Sequence, residues 1–309
     1  MENNFKISIV VPCYNEEDNI IPLTEILLKT LKKYNDYEII FVDDGSYDKT
    51  LKKIKEIRNK NKKIKIISFS RNFGHQNAIK AGFDYSTGDC VISLDSDLQH
   101  PPGLIDEMIE KWQQGYQVVY AVRNNFKSLG FFKRTTSKLF YKIINSISDI
   151  KMTYNAADFR LIDREVVNAL KQFKENYLYI RGIVSWVGFK QTTIKYKQEK
   201  RFSGESKYSL KKMIKFALSG ITSFSIKPLK LSLILGFIIS FFSFLYGLYA
   251  LYIAFFTDRA ITGWTSVIVS VLFIGGIQLF MIGVLGEYLG KLFMENKRRP
   301  NYIIKEKEF

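Results

Sequence analysis

Two uninterrupted apolar runs near the C-terminus constrain this chain more than any other feature. From Leu231 to Phe256 no residue carries a charge, and the same holds from Trp264 to Gly286. Each run exceeds the roughly 20 residues that an α-helix needs to cross a hydrocarbon core. A helix on the surface of a soluble domain needs a polar face, and neither run has one. Only residues 257–263 separate the two, so they are expected to form a hairpin whose outer ends lie on one side. Lys227 and Lys230 precede the hairpin, and Lys291, Lys297, Arg298 and Arg299 follow it, whereas the connecting loop holds Arg259 beside Asp258. The flanking cations place both ends, and everything N-terminal to them, in the cytoplasm. No signal peptide is expected ahead of the first strand-like run, Ile7–Val11.

Charge supports a membrane rather than a polynucleotide. The 309 residues include 46 Lys+Arg against 30 Asp+Glu, a net charge of +16. Such a balance suits nucleic acid or an anionic lipid surface, and its position around two spans favours lipid. Nucleic acid is therefore not an expected partner. Cys13 and Cys90 have neither metal-site nor redox spacing and fit a reducing compartment as small core residues.

Residues 1 to about 125 alternate short apolar runs with helical patterns, which predicts an open, mostly parallel sheet of Rossmann-like α/β type. The strands are expected at Ile7–Val11, Glu38–Val42, Ile64–Phe69, Val91–Leu94 and Val118–Val122. Helical spacing joins Ile20, Leu23, Leu27 and Leu31, with Pro22 tolerable only in a first turn. A second helix carries Leu51, Ile54 and Ile57, with Ser46 or Asp48 as its cap. A third starts near Asn72 and buries Ala78, Ile79, Gly82 and Phe83. A fourth opens at Pro101-Pro102 and carries Ile105, Met108, Ile109 and Trp112.

Ligands of such sheets bind beyond the carboxyl ends of the strands. Three polar segments fall there: Pro12-Cys13-Tyr14-Asn15-Glu16, Asp43-Asp44-Gly45-Ser46 and Asp95-Ser96-Asp97. Each alone is ordinary turn chemistry. In an extended segment Asp95 and Asp97 point the same way. Paired hard oxygen ligands at a strand end suit Mg2+ or Mn2+ with positions left open for phosphate. Neither a Gly-x-Gly-x-x-Gly nor a P-loop string follows the first strand, which argues against dinucleotide and P-loop chemistry. His75 and His100 are read as polar rim or cap residues, not as metal ligands.

The three segments, in this order and spacing, resemble the family-2 glycosyltransferases, which have the A-type nucleotide-sugar fold. Within that family the chain is similar to the polyprenyl-phosphate glycosyltransferases. Ala157-Asp158-Phe159-Arg160-Leu161, Tyr179-Ile180-Arg181-Gly182 and Arg201-Phe202-Ser203-Gly204-Glu205-Ser206-Lys207-Tyr208 add to the likeness, and the paired apolar runs match its bacterial glucosyltransferase branch. The resemblance implies a cytoplasmic catalytic domain over residues 1–208 and a juxtamembrane amphipathic helix over 209–228. Two transmembrane helices follow within 229–291 (about 231–256 and 264–286), then a basic tail over 292–309. An amphipathic segment at about 131–147 is expected to lie in the membrane interface.

The resemblance also implies roles. Pro12, Tyr14, Asn15, Glu16, Asp43, Asp44, Asp95 and Ser96 would hold a nucleotide-sugar donor. Asp95, Asp97 and Gln99 would surround the metal, with Asp97 and Asp158 as catalytic residues. Asp158 matches the place usually given to a general base, which would imply inversion. The acceptor, however, is a phosphate monoester already largely dianionic at neutral pH, so orienting the acceptor, meeting the sugar and capping the adjacent segment are the other roles open to Asp158. Arg201 and Lys207, with Arg123, Lys133, Arg134 and Ser137, would meet the acceptor phosphate.

The activity implied is transfer of a hexose, first of all glucose from UDP-glucose, to undecaprenyl phosphate at the cytoplasmic face of the inner membrane. UDP-N-acetylglucosamine, another UDP-sugar or GDP-mannose remain alternative donors, and a non-catalytic membrane-anchored binding protein is the alternative of another class. No Gln-x-x-Arg-Trp string precedes the spans, which argues against a processive synthase. A two-helix hairpin buries little surface in lipid, so a homo-oligomer is expected. A separate flippase would be the further partner.

Overall fold

The computed structural model describes residues 4–123, 156–175, 179–196, 225–256 and 263–309. Among these residues eight strands form one sheet: β1 Lys6–Cys13, β2 Asp36–Asp43, β3 Ile64–Phe69, β4 Cys90–Ser93, β5 Val118–Arg123, β6 Ala156–Asp163, β7 Gln191–Tyr196 and β8 Ile304–Glu308. Their order across the sheet is β7-β5-β6-β4-β1-β2-β3-β8. β1 pairs in parallel with β2 and β4, β2 with β3, and β5 with β7, whereas β6 runs against both neighbours and β8 against β3. The sheet is therefore mixed, and six of its eight strands share one direction.

Helices cover both faces. α1 Ile20–Leu31, α2 Thr50–Lys60 and α4 Leu104–Gln113 pack on one side, and α3 His75–Tyr85, α5 Arg164–Lys171 and α6 Ile180–Trp186 on the other. The strands β1 to β4 are buried on both faces, which is why they read as continuous apolar runs rather than alternating ones. Ile9 of β1 faces one core and Val10 the other, each fully buried. Burying such a side chain contributes roughly 1.5–3 kcal/mol.

The expected helices form with small shifts in their starts. In α1 the residues Ile20, Leu23, Leu27 and Leu31 are buried, and Pro22 sits in the first turn, where no helical N–H is missed. Asp48 accepts the Thr50 N–H at 2.9 Å ahead of α2. α3 begins at His75 rather than near Asn72, because Gly74 at φ 100° cannot belong to a helix. Pro101 and Pro102 form the turn before α4 rather than its first residues, and their carbonyls accept from Leu104 and Ile105.

Two elements depart from the expectation. Ala156–Asp163 is a full strand, β6, inserted between β4 and β5. The end of the expected basic tail is not a free tail either: Ile304–Glu308 pairs with β3 as an outer strand.

The apolar runs form α7 Lys227–Phe256 and α8 Trp264–Asn296, longer than the charge-free stretches themselves. Both are long and apolar enough to cross a membrane, with mean hydropathy 2.2 in an 18-residue window within Lys227–Tyr249 and within Val269–Asn296. Leu233, Phe237, Leu279 and Phe280 are exposed on them. Water would oppose an apolar surface of this extent and lipid would not, so the pair marks the chain as membrane-associated. The expected interfacial segment at 131–147, and the juxtamembrane helix up to residue 224, lie outside the described residues.

Candidate active site

Strand direction assembles the site. β1, β2 and β4 end at the same edge, delivering Tyr14, Asp44 and Asp95 there. β6 runs the other way, so its beginning reaches that same edge. The register pairs Ser93 with Arg160, which puts Asp158 level with Asp95. The Ser93 hydroxyl donates to the Asp158 carbonyl at 2.6 Å and fixes that register.

His75, the first residue of α3, enters between the two carboxylates. Its Nε2 lies 3.3 Å from Asp95 Oδ1 and 3.4 Å from Asp158 Oδ2. Burial opposes protonation of His75, but the Asp158 hydrogen bond and the charges of both carboxylates outweigh it, so its pKa is raised. Behind them Arg160, fully buried, donates to Asp158 Oδ1 at 2.6 Å. Arg181 of α6 grips the same carboxylate with two bonds, Nε to Oδ1 and a terminal nitrogen to Oδ2, each 2.9 Å. Burial works against the Asp158 charge, yet Arg181, His75 and Arg160 together hold its carboxyl well below the ordinary carboxylate range.

The loops after β1 and β2 interlock. Asn15, at φ 54°, donates its N–H to Ser46 Oγ at 2.9 Å and accepts from the Tyr47 N–H at 3.0 Å. Asparagine is among the residues that tolerate this left-handed backbone. Glu16 donates its N–H to Thr50 Oγ1 and accepts from Asn19 Nδ2. Asp43 accepts from the Ser46 N–H and from Ser68 Oγ, at 3.1 and 2.8 Å. Asp44 accepts from the Phe73 N–H at 2.6 Å and from the Gly74 N–H. Burial pushes its carboxyl up to about 6 in spite of those donors. Gly45, at φ 69°, lies so close to Arg71 that an added Cβ would stand 2.4 Å from the Arg71 carbonyl carbon. Tyr14 meets the exposed Tyr47 edge to face at 6.1 Å, forming an aromatic ledge at the rim.

The carboxylate segment is not extended as expected: β4 ends at Ser93, and Ser96 and Asp97 lie in a strained turn. Leu98 sits at φ 59° between Asp97 and Gln99, and the Gln99 N–H donates to Asp97 Oδ1 at 3.2 Å. A residue held there costs on the order of 1–3 kcal/mol, which the apolar packing of its side chain opposes. His100 accepts the Asp95 N–H through Nδ1 and stacks on Phe159 at 5.2 Å. Pro12 is buried in β1, and Ser96 lies beside the Cys13 thiol.

Residues 8–171 match Glycosyl transferase family 2, and residues 227–292 match the GtrB C-terminal hairpin. The chain belongs to glycosyltransferase family 2. It is 47% identical to the uncharacterized glycosyltransferase YkcC of Bacillus subtilis (strain 168) over 99% of this chain and 95% of that protein. It is 42% identical to the bactoprenol glucosyl transferase of Shigella phage SfX over 98% of this chain and 100% of that protein. Among solved structures it is similar to glucosyl-3-phosphoglycerate synthase from Mycobacterium tuberculosis in complex with Mn2+, UDP and glucosyl-3-phosphoglycerate. That likeness has 16% identity and a TM-score of 0.45, over 71% of this chain and 78% of that one.

This family 2 glycosyltransferase has a side-chain set that fits a divalent cation. Ligand atoms of His75, Asp95 and Asp158 lie within 4.8 Å of one another. Asp95 Oδ1 is buried and accepts no hydrogen bond. Because both oxygens of Asp158 already bond guanidinium groups, Asp95 is the better ligand of the two.

The structure thus brings Pro12, Tyr14, Asn15, Glu16, Asp43, Asp44, Asp95, Ser96, Asp97, Gln99 and Asp158 to one edge of the sheet. Arg123 closes β5, but its side chain, together with Lys133, Arg134, Ser137, Arg201 and Lys207, lies outside the described residues. Sequence reasoning left three residues out of the site. His75, expected as a rim or cap residue and not as a metal ligand, instead bridges two carboxylates and belongs to the set that fits a cation. Arg160 and Arg181 lie within segments that carried the family likeness, and both converge on Asp158.

Proposed function

We propose that this glycosyltransferase moves a hexose, glucose from UDP-glucose in the first instance, onto a polyprenyl phosphate at the cytoplasmic face of the inner membrane. The observation that carries the reading is one chain that joins the Asp95–His75–Asp158 cleft to two apolar helices of membrane length. The name of the phage relative, a bactoprenol glucosyl transferase, supports both sugar and acceptor.

In this reading Asp95 of that set, together with Asp97 and Gln99, would hold Mg2+ or Mn2+. Such a cation would supply positive charge to a departing nucleoside diphosphate. Asp44, Asn15 and Glu16 shape the nucleotide pocket, and the Tyr14–Tyr47 ledge offers an aromatic surface to the base. Asp158 works as a positioning residue. A carboxyl held far below its usual pKa is a weak base, and an acceptor phosphate that is already dianionic needs none. Its two oxygens instead hold Arg181, about one-third exposed, at the cleft. The acceptor oxygen then attacks the anomeric carbon directly, with inversion, as the bond to the diphosphate breaks. Arg123, Lys133, Arg134, Ser137, Arg201 and Lys207 are the acceptor-phosphate group of this reading.

The test incubates the purified full chain with undecaprenyl phosphate, Mg2+ or Mn2+ and a panel of radiolabelled nucleotide sugars, then extracts the lipid. Label from UDP-glucose should enter a lipid-phosphate product. Label from UDP-N-acetylglucosamine or GDP-mannose alone would reassign the donor. No lipid product with any donor would reject the acceptor.

A further inference from the structure

The strand that follows the membrane hairpin touches more than the edge of the sheet. After α8, residues 297–303 lead directly into β8, which pairs Glu306 with Ser68 and Ile304 with Phe69. Ser68 is the residue that donates to Asp43. Just ahead of β8, the Tyr302 ring lies flat on Phe69, with centroids 5.0 Å apart and planes 14° apart. Phe69 in turn meets Phe73 edge to face at 5.7 Å, and the Phe73 N–H is seated on Asp44 at 2.6 Å. The Tyr302 hydroxyl donates to Asp84 Oδ2 at 2.8 Å in the last turn of α3. The Ile303 carbonyl accepts the Ser70 N–H at 3.0 Å.

One ring therefore grips both ends of the segment from Phe69 to Tyr85. That segment contains the turn that seats Asp44 and the helix whose first residue is His75. Further out, Arg58 donates to the carbonyls of Glu308 and Phe309 and pairs with the Glu308 carboxylate, while Lys55 pairs with Glu306. These bonds fix the strand's register on β3, and with it the position of Tyr302.

We infer that Tyr302 and β8 act as a positioning strap, by which the end of the membrane hairpin holds the Phe73–Gly74 turn, and so Asp44 and His75, in the geometry that receives the nucleotide. The inference rests on the reading of the Asp44 pocket as the nucleotide site. An edge strand that only covered β3 would not need an aromatic stack aimed at this turn.

The experiment uses the full chain in detergent with Tyr302→Ala and Tyr302→Phe. It measures hydrogen exchange at the Phe73 and Gly74 amides, affinity for uridine 5′-diphosphate, and kcat and KM for UDP-glucose. Loss of a stacked ring pair should raise KM and weaken nucleotide affinity by roughly 2- to 10-fold. The kcat should stay within about 2-fold, since the reacting groups are untouched. Exchange at the two amides should accelerate in Tyr302→Ala, and Tyr302→Phe, which keeps the ring, should recover most of both effects. Unchanged protection at Phe73 and Gly74 in Tyr302→Ala would overturn the strap. So would equal losses in kcat and kcat/KM without a change in KM. Faster exchange with unchanged diphosphate affinity would uphold the strap and count against the nucleotide reading of the pocket.

Discussion

Replacing Asp158 with asparagine separates a positioning carboxylate from a catalytic base. The native side chain is buried and bonds two guanidinium groups, of which Arg160 is 1% exposed. Asparagine keeps the shape but removes the charge and turns an N–H2 group toward one of the arginines. Removing one partner of a buried ion pair costs about 3–5 kcal/mol. Arg181 is partly exposed and solvent screens its share, so the lower end, about 3 kcal/mol, applies here. At roughly 2–4 °C per kcal/mol for a domain of this size, the melting temperature should fall by about 10 °C. The folded pKa is depressed, so this stabilisation is fully present above the unfolded value near 4 and is lost as pH falls further. The stability gap between wild type and Asp158→Asn should therefore narrow below about pH 4. Activity supplies the second arm, a cycle of Asp158→Asn, Arg181→Gln and the double variant. If Asp158 acts through Arg181, the double variant should lose little more than the worse single one, with coupling of at least about 1 kcal/mol. Additive losses, or an unchanged melting temperature with the acidic limb of the kcat profile gone, would refute the positioning role.

Asp97→Ala should lower kcat at least about 100-fold with little change in melting temperature, and a chelator should abolish turnover until Mg2+ or Mn2+ is restored; full activity in either case would remove the cation from the mechanism. Asp44 has its carboxyl pushed up to about 6 by burial, so the folded state takes up its proton more readily than the unfolded one. Relative to Asp44→Asn, wild type should gain stability on the order of 3 kcal/mol as pH falls from about 6 to 4; parallel pH profiles would contradict that shift. Gly45→Ala should destabilise the domain by about 1–3 kcal/mol and weaken nucleotide binding, because its φ of 69° and the nearby Arg71 backbone leave no room for a Cβ; an unaltered thermal melt would show that the two loops are less closely packed.

The parallel half of the sheet was legible because strands buried on both faces leave continuous apolar runs, as in Ile7–Val11 and Ile64–Phe69. β6 was not, because its run alternates Phe159 and Leu161 with the buried polar residues Asp158 and Arg160. Those polar residues read as site chemistry and hid the strand that carries them. β8 reads Ile-Lys-Glu-Lys-Glu, a composition with poor strand propensity; it is a strand because β3 offers it a partner and Arg58, Lys55 and Lys65 surround it. The rim carboxylates were visible as motifs, but their convergence was not. His75 stands twenty positions from Asp95 and much further from Asp158, and only the reversed direction of β6 makes the three neighbours.

β8 also governs how this protein can be handled. Without it, the Ile-Lys-Ile-Ile-Ser-Phe strand β3 would present a row of unbonded peptide groups, a template on which other chains can add and aggregate. A fragment cut ahead of α7 would lose that cover, although β1 to β7 remained. Joining residues 301–309 back to such a fragment through a flexible linker should restore the cover and keep the fragment monodisperse.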